Sequence, residues 1–79
     1  MNVEAPKRAV LAIGDFVRQE RQARGLSMEK LAVKAGVSLG TVRKLETGQI
    51  ANPGLFTLLG ICEVLELDLI EILDVATDD

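Results

Sequence analysis

The sequence predicts an all-α domain built from five helices, and three observations carry that prediction. Apolar residues recur at helical spacing in successive segments, and no segment reads as a strand. Glycine and serine punctuate the pattern at Gly25, Ser27, Gly36, Ser38 and Gly48, in the order that ends one helix and caps the next. At 79 residues with an apolar fraction of 48%, the chain suits one compact domain with a small aliphatic core.

Residues 1–8 lack periodicity, contain Pro6 and read as a flexible arm. From Ala9 to Arg24 the pattern is helical, with Ile13, Phe16, Val17 and Arg21 on or near one side, and Gly25 closes it. Ser27 caps a second helix, Met28 to Ala35, turned inward through Leu31, Ala32 and Ala35. Gly36 breaks that helix. Ser38 caps a third, Leu39 to Glu46, with Val42 and Leu45 inward, and Gly48 ends it. Gln49 to Asn52 form a loop. Asn52 and Pro53 read as the cap and first residue of a fourth helix running to about Glu66. Asp68 and Glu71 make an acidic capping box, stapled by Leu67 and Ile72, that opens a fifth helix over about 69–75. The folded domain then covers 9–76, and 77–79 are an acidic tail.

The net charge of −3 conceals a division along the chain. All nine Lys and Arg lie at or before Lys44, against four acids there, a balance of +5. Residues 45–79 hold eight acids and no base, a balance of −8. A basic half and an acidic half suit a protein whose one side meets phosphates while the other faces away. The chain has no histidine, which removes the usual general base and the usual imidazole metal ligand. No nucleophile with a base and no Gly-rich phosphate loop is present, so the sequence argues against an enzyme and calls for neither metal nor cofactor. A single cysteine, Cys62, suits a reducing compartment. The longest nearly apolar run, Leu55 to Cys62, is far short of the roughly 20 residues a membrane span needs. A cytoplasmic protein is expected.

The segment from Met28 to Leu45 carries the functional signal. Two helices that cross at about 90–120° through a short turn need a small side chain where they meet, and Ala32 supplies it. The turn needs a left-handed residue, which Gly36 supplies without a Cβ clash. Val37, Val42 and Leu45 then pin the third helix on the core and leave its opposite face in solvent. Arg43 and Lys44 on that face suit guanine edges or phosphate; Ser38 and Thr41 offer hydroxyls to phosphate; Leu39 suits a thymine methyl.

With Ile13-Gly14, Arg21, Gly25-Leu26-Ser27, Leu31-Ala32, Ala35-Gly36-Val37-Ser38, Thr41-Val42, Leu45-Glu46, Gly48, Pro53 and Thr57-Leu58, the chain resembles the phage-repressor and Cro-type (XRE-like) helix-turn-helix family. The resemblance runs from about Leu11 to Leu73. It implies a lambda-repressor-like fold whose third helix reads bases in the major groove of double-stranded DNA, and a dimer that represses transcription at a palindromic site. It implies DNA contacts from Ser27 and Met28 at the start of the second helix, from Ser38, Leu39, Gly40, Thr41, Arg43 and Lys44, and from Gln49 and Asn52 in the following loop. It implies an internal ion pair between Arg21 and Glu46. Met28 stands where the family usually has a phosphate-binding Gln, and Leu39 and Gly40 replace polar readers. Some small members of the family are antitoxins that bind both DNA and a toxin, so an antitoxin is one alternative. A protein-interaction module without DNA binding is another.

The fourth helix is too apolar for a one-sided surface helix. Leu55, Leu58, Ile61, Cys62 and Leu65 suffice for its core stripe, which leaves Phe56, Leu59, Val64 and, on the fifth helix, Ile70 outside. These four are expected to form an association surface, most simply of a homodimer, with a toxin or other protein as the rival occupant.

Overall fold

The structure, a computed structural model, describes residues 7–50 and 53–77. Among the described residues there are five α-helices: α1 Lys7–Ala23, α2 Met28–Ala35, α3 Leu39–Glu46, α4 Leu55–Leu65 and α5 Leu69–Thr77. Helix α1 packs against both α5 and α3, while α2 packs against α3 and α4. Leu31, Leu45, Ile61, Leu65, Ile72, Val17 and Val42 are wholly enclosed between them and form the aliphatic core.

Helices α2 and α3 begin and end where Ser27, Gly36, Ser38 and Gly48 predict. In each, the serine has an extended backbone and its Oγ accepts from an amide three residues on, Lys30 and Thr41 respectively, at 3.0 Å. The helices also share one C-terminal closure. After α1, the amides of Gly25 and Leu26 donate to the carbonyls of Gln22 and Arg21; after α2, Gly36 and Val37 donate to Val33 and Ala32; after α3, Gly48 and Gln49 donate to Leu45 and Lys44. A left-handed residue makes this reversal, and at these three ends it is glycine. Helix α4 closes the same way through Glu66, at φ 57°, whose amide donates to Glu63 while Leu67 donates to Cys62. A residue with a Cβ sits there at a conformational cost.

The outer elements differ from expectation in four places. Helix α1 opens at Lys7, so Lys7 and Arg8 belong to its first turn and not to an arm. Helix α4 opens at Leu55 with Gly54 as its cap, so Pro53 precedes the helix by two residues; Asn52 lies outside the described residues. Thr77 is the last residue of α5 and not the start of a tail, because helical hydrogen bonding continues through it. Leu55, expected in the core stripe, is exposed because it occupies the first helical position, with no preceding turn of its own helix to shield it.

Two glycines set how closely the helices approach. A Cβ on Gly14 would stand 2.2 Å from the Leu45 carbonyl oxygen, and one on Gly60 would stand 2.7 Å from that of Ala35. Helix α1 therefore rests directly on the end of α3, and α4 on the end of α2. Ala32, read from the sequence as the small contact residue, is buried at 3% exposure, but these two backbone contacts are equally part of the assembly.

Candidate nucleic-acid interface

The turn between α2 and α3 is short, and Val37 folds from it onto the core. Val42 and Leu45 anchor α3 from its inner side at 0% exposure. What remains outward is a compact surface. Ser38, Gly40, Arg43 and Lys44 are exposed, while Leu39 and Thr41 are half-buried.

The chemistry of this surface is narrower than its composition. Ser38 Oγ accepts the Thr41 amide and lies 2.8 Å from Thr41 Oγ1, where one hydroxyl donates to the other. The pair therefore has one O–H left to give outward, not the two that the residue types alone offer. Gly40 has open space around it: a Cβ there would meet only Ser38 Oγ, at 3.8 Å. Gln49 is exposed beyond Gly48. Ser27 is exposed at the start of α2, but Met28 is half-buried and packs against the core, so its thioether covers apolar side chains.

Ion pairing sorts the basic residues. Arg18 is paired with Asp15 and Arg24 with Glu20, both within α1. Arg43, Lys44, Lys30 and Lys34 are exposed and have no acidic partner among the described residues. Lys30 and Lys34 stand four apart on α2 and so share a face. The unneutralised cations of this half thus include four on the two helices joined by the sharp turn.

Behind this surface lies a buried ion pair. Arg21 Nε donates to Glu46 Oε2 at 2.7 Å and Nη2 to Oε1 at 2.9 Å, a bidentate fork, while Nη1 donates to the Leu26 carbonyl at 2.7 Å. The hydrogen bond to Glu46 holds the guanidinium above its ordinary pKa, against the opposing effect of burial and with the added attraction of the carboxylate. Arg21 is thereby a scaffold residue that ties α1 to the end of α3.

Phe56, Leu59 and Ile70 are exposed, at 85%, 40% and 62%. Val64, expected with them, is half-buried against the core. Leu73 at 50% and Leu55 at 55% join the exposed set. Leu73 was legible: it follows Ile70 by three on a helix whose inward position is Ile72.

The helix-turn-helix family profile matches residues 17–72 of the chain. This chain belongs to the helix-turn-helix family. This helix-turn-helix chain is 37% identical over 65 residues to the HTH-type transcriptional regulator SlrR of Bacillus subtilis, an alignment covering 82% of the chain and 43% of SlrR. It spans less than half the length of the curated relatives it matches. Among solved structures it superposes with a TM-score of 0.75 on the restriction-modification controller protein C.AhdI from Aeromonas hydrophila, at 32% identity, covering 80% of this chain and 94% of that one. The same TM-score and identity relate it to the biofilm master regulator SinR in complex with DNA, covering 78% and 98%. The family is one of transcription regulators that bind DNA, not of enzymes. Among the described residues, no helix is long and apolar enough to cross a membrane.

Proposed function

We propose that this helix-turn-helix chain is a cytoplasmic repressor that binds a palindromic DNA site as a pair of identical copies, each laying the outer face of α3 in the major groove. The observation that carries this reading is the surface itself: a helix anchored from behind by Val42 and Leu45, with Arg43 and Lys44 outward and unpaired among the described residues. The likeness to SinR, whose structure is in complex with DNA, supports it. In this reading Arg43 and Lys44 contact guanine edges or phosphate, the remaining Ser38–Thr41 hydroxyl contacts phosphate, and Leu39 meets a thymine methyl. Ser27, Gln49 and the α2 lysines supply backbone contacts at the edges, and Gly40 lets the helix come close. The exposed side chains Phe56, Leu59 and Ile70 form the surface through which the copies associate. Two half-sites about 34 Å apart compensate for the few charged contacts each copy makes.

Selection of bound sequences from random duplexes at low salt, together with solution mass, tests the proposal. A two-fold symmetric sequence and a mass of two copies are expected. Arg43→Ala and Lys44→Ala should each flatten the dependence of log affinity on log salt, by up to about 0.9 for every phosphate that a copy no longer neutralises. Absence of enrichment, or enrichment indifferent to both substitutions, refutes it.

A further inference from the structure

The outer surfaces of α4 and α5 combine two properties that a copy of the same surface matches poorly. Phe56 and Leu59 stand three residues apart on α4, and Ile70 and Leu73 three apart on α5, all exposed. Glu63 follows Leu59 by four and Asp74 follows Ile70 by four, so a carboxylate extends each apolar row. Both acids are exposed and neither has a cationic partner among the described residues. Neither α4 nor α5 carries a base. Two copies meeting here across a two-fold are held by their apolar side chains with like-charged carboxylates around them, so a partner of complementary charge can compete for the same surface. A segment with lysine or arginine beside its apolar residues would cover the same rows and neutralise the acids.

We propose that this face docks an amphipathic helix of a second protein, apolar along one stripe and flanked by lysine or arginine. The consequence for DNA rests on the paired-repressor reading above: the docked helix takes the place of the second copy and leaves single copies with one half-site each. The docking itself does not depend on that reading.

A synthetic peptide of leucine and lysine at helical spacing is the probe, and the same peptide with glutamate at every lysine is its counterpart. Fluorescence anisotropy reads their binding to the full chain without DNA, since a basic peptide binds DNA by itself. The lysine peptide should bind about ten-fold tighter or more. Glu63→Lys with Asp74→Lys should abolish or invert the preference, while Phe56→Ser with Ile70→Ser should weaken binding of the lysine peptide. All four positions are exposed, and unchanged thermal melting verifies that each variant folds. Equal binding of the two peptides, or a preference that survives the charge reversal, overturns the proposal. Sedimentation with saturating peptide should show one copy of the chain per complex; a persisting pair refutes the displacement. The duplex selection on peptide-free protein is a separate readout, so its failure removes the DNA reading and leaves the docking face standing.

Discussion

Replacing Glu46 with alanine strands the Arg21 guanidinium inside the fold. In the intact domain Arg21 makes three charge-assisted hydrogen bonds, two of them to Glu46, and the two side chains retain only 10% and 4% exposure. Water has little access to replace the missing carboxylate. Breaking a buried pair from one side costs about 3–5 kcal/mol, because the remaining charge stays desolvated without compensation. At roughly 0.05–0.15 kcal/mol per residue, a domain of 79 residues has about 4–12 kcal/mol of total stability. Glu46→Ala should therefore lower the melting temperature by more than about 12 °C, and it unfolds most of the protein if the total lies at the low end of that range. Replacing both partners, Arg21→Met with Glu46→Leu, removes the charge together with its partner and fills the volume. The double variant should lose less than either single one. Urea unfolding of the four proteins, followed by circular dichroism, gives the coupling energy directly. A single-variant loss under about 1 kcal/mol, or a double-variant loss equal to the sum of the singles, would show that the pair does not hold the helices together.

Glu66→Gly relieves the left-handed residue that ends α4 and should raise stability by about 0.5–1 kcal/mol, or several degrees of melting temperature; no gain means the helix end adjusts without strain. Gly40→Ala adds a methyl group in open space on α3 and should stabilise the free domain by up to about 1 kcal/mol while weakening DNA binding; equal affinity for DNA would show that the backbone there does not approach the duplex. Cys62 is buried, and its thiol is pushed above the ordinary value near 9.0 by desolvation first, then by Glu71 and Asp68. The unfolded chain therefore gives up this proton at lower pH than the folded one, so stability is unaffected below that value and falls as pH rises from about 9. Cys62→Ala should flatten that fall in urea unfolding above about pH 9, and an unchanged slope would assign it to other groups.

The parts of the fold that were legible in the sequence are those in which chemistry and conformation coincide at one residue. Ser27 and Ser38 cap helices because their hydroxyls accept local amides, and Gly25, Gly36 and Gly48 reverse the chain because they lack a Cβ. Glu66 performs the same reversal with a side chain that gives no hint of it, and Gly54 caps α4 with no side-chain bond, so residue type marks the ends of that helix only loosely. At the interface, the outward residues of α3 followed from helical periodicity. What periodicity could not supply was the partner of each group. Thr41 shares its hydroxyl with Ser38, Arg18 and Arg24 are neutralised within α1, and Met28 and Val64 turn toward the core. Gly14 and Gly60 gave a signal, as glycines inside helical patterns, but their partner carbonyls lie on other helices.

Helix α3 is a cantilever. Its far end is clamped by the α1 backbone at Gly14, by the Arg21–Glu46 fork, and by Leu11, which occupies the space where Gly48 would have a Cβ. Its leading turn, by contrast, carries the Ser38 cap and Gly40, which has room around it. In the proposed DNA reading, base preference can therefore drift at the tip through substitutions at Leu39 and Gly40 while the clamps at the root stay in place.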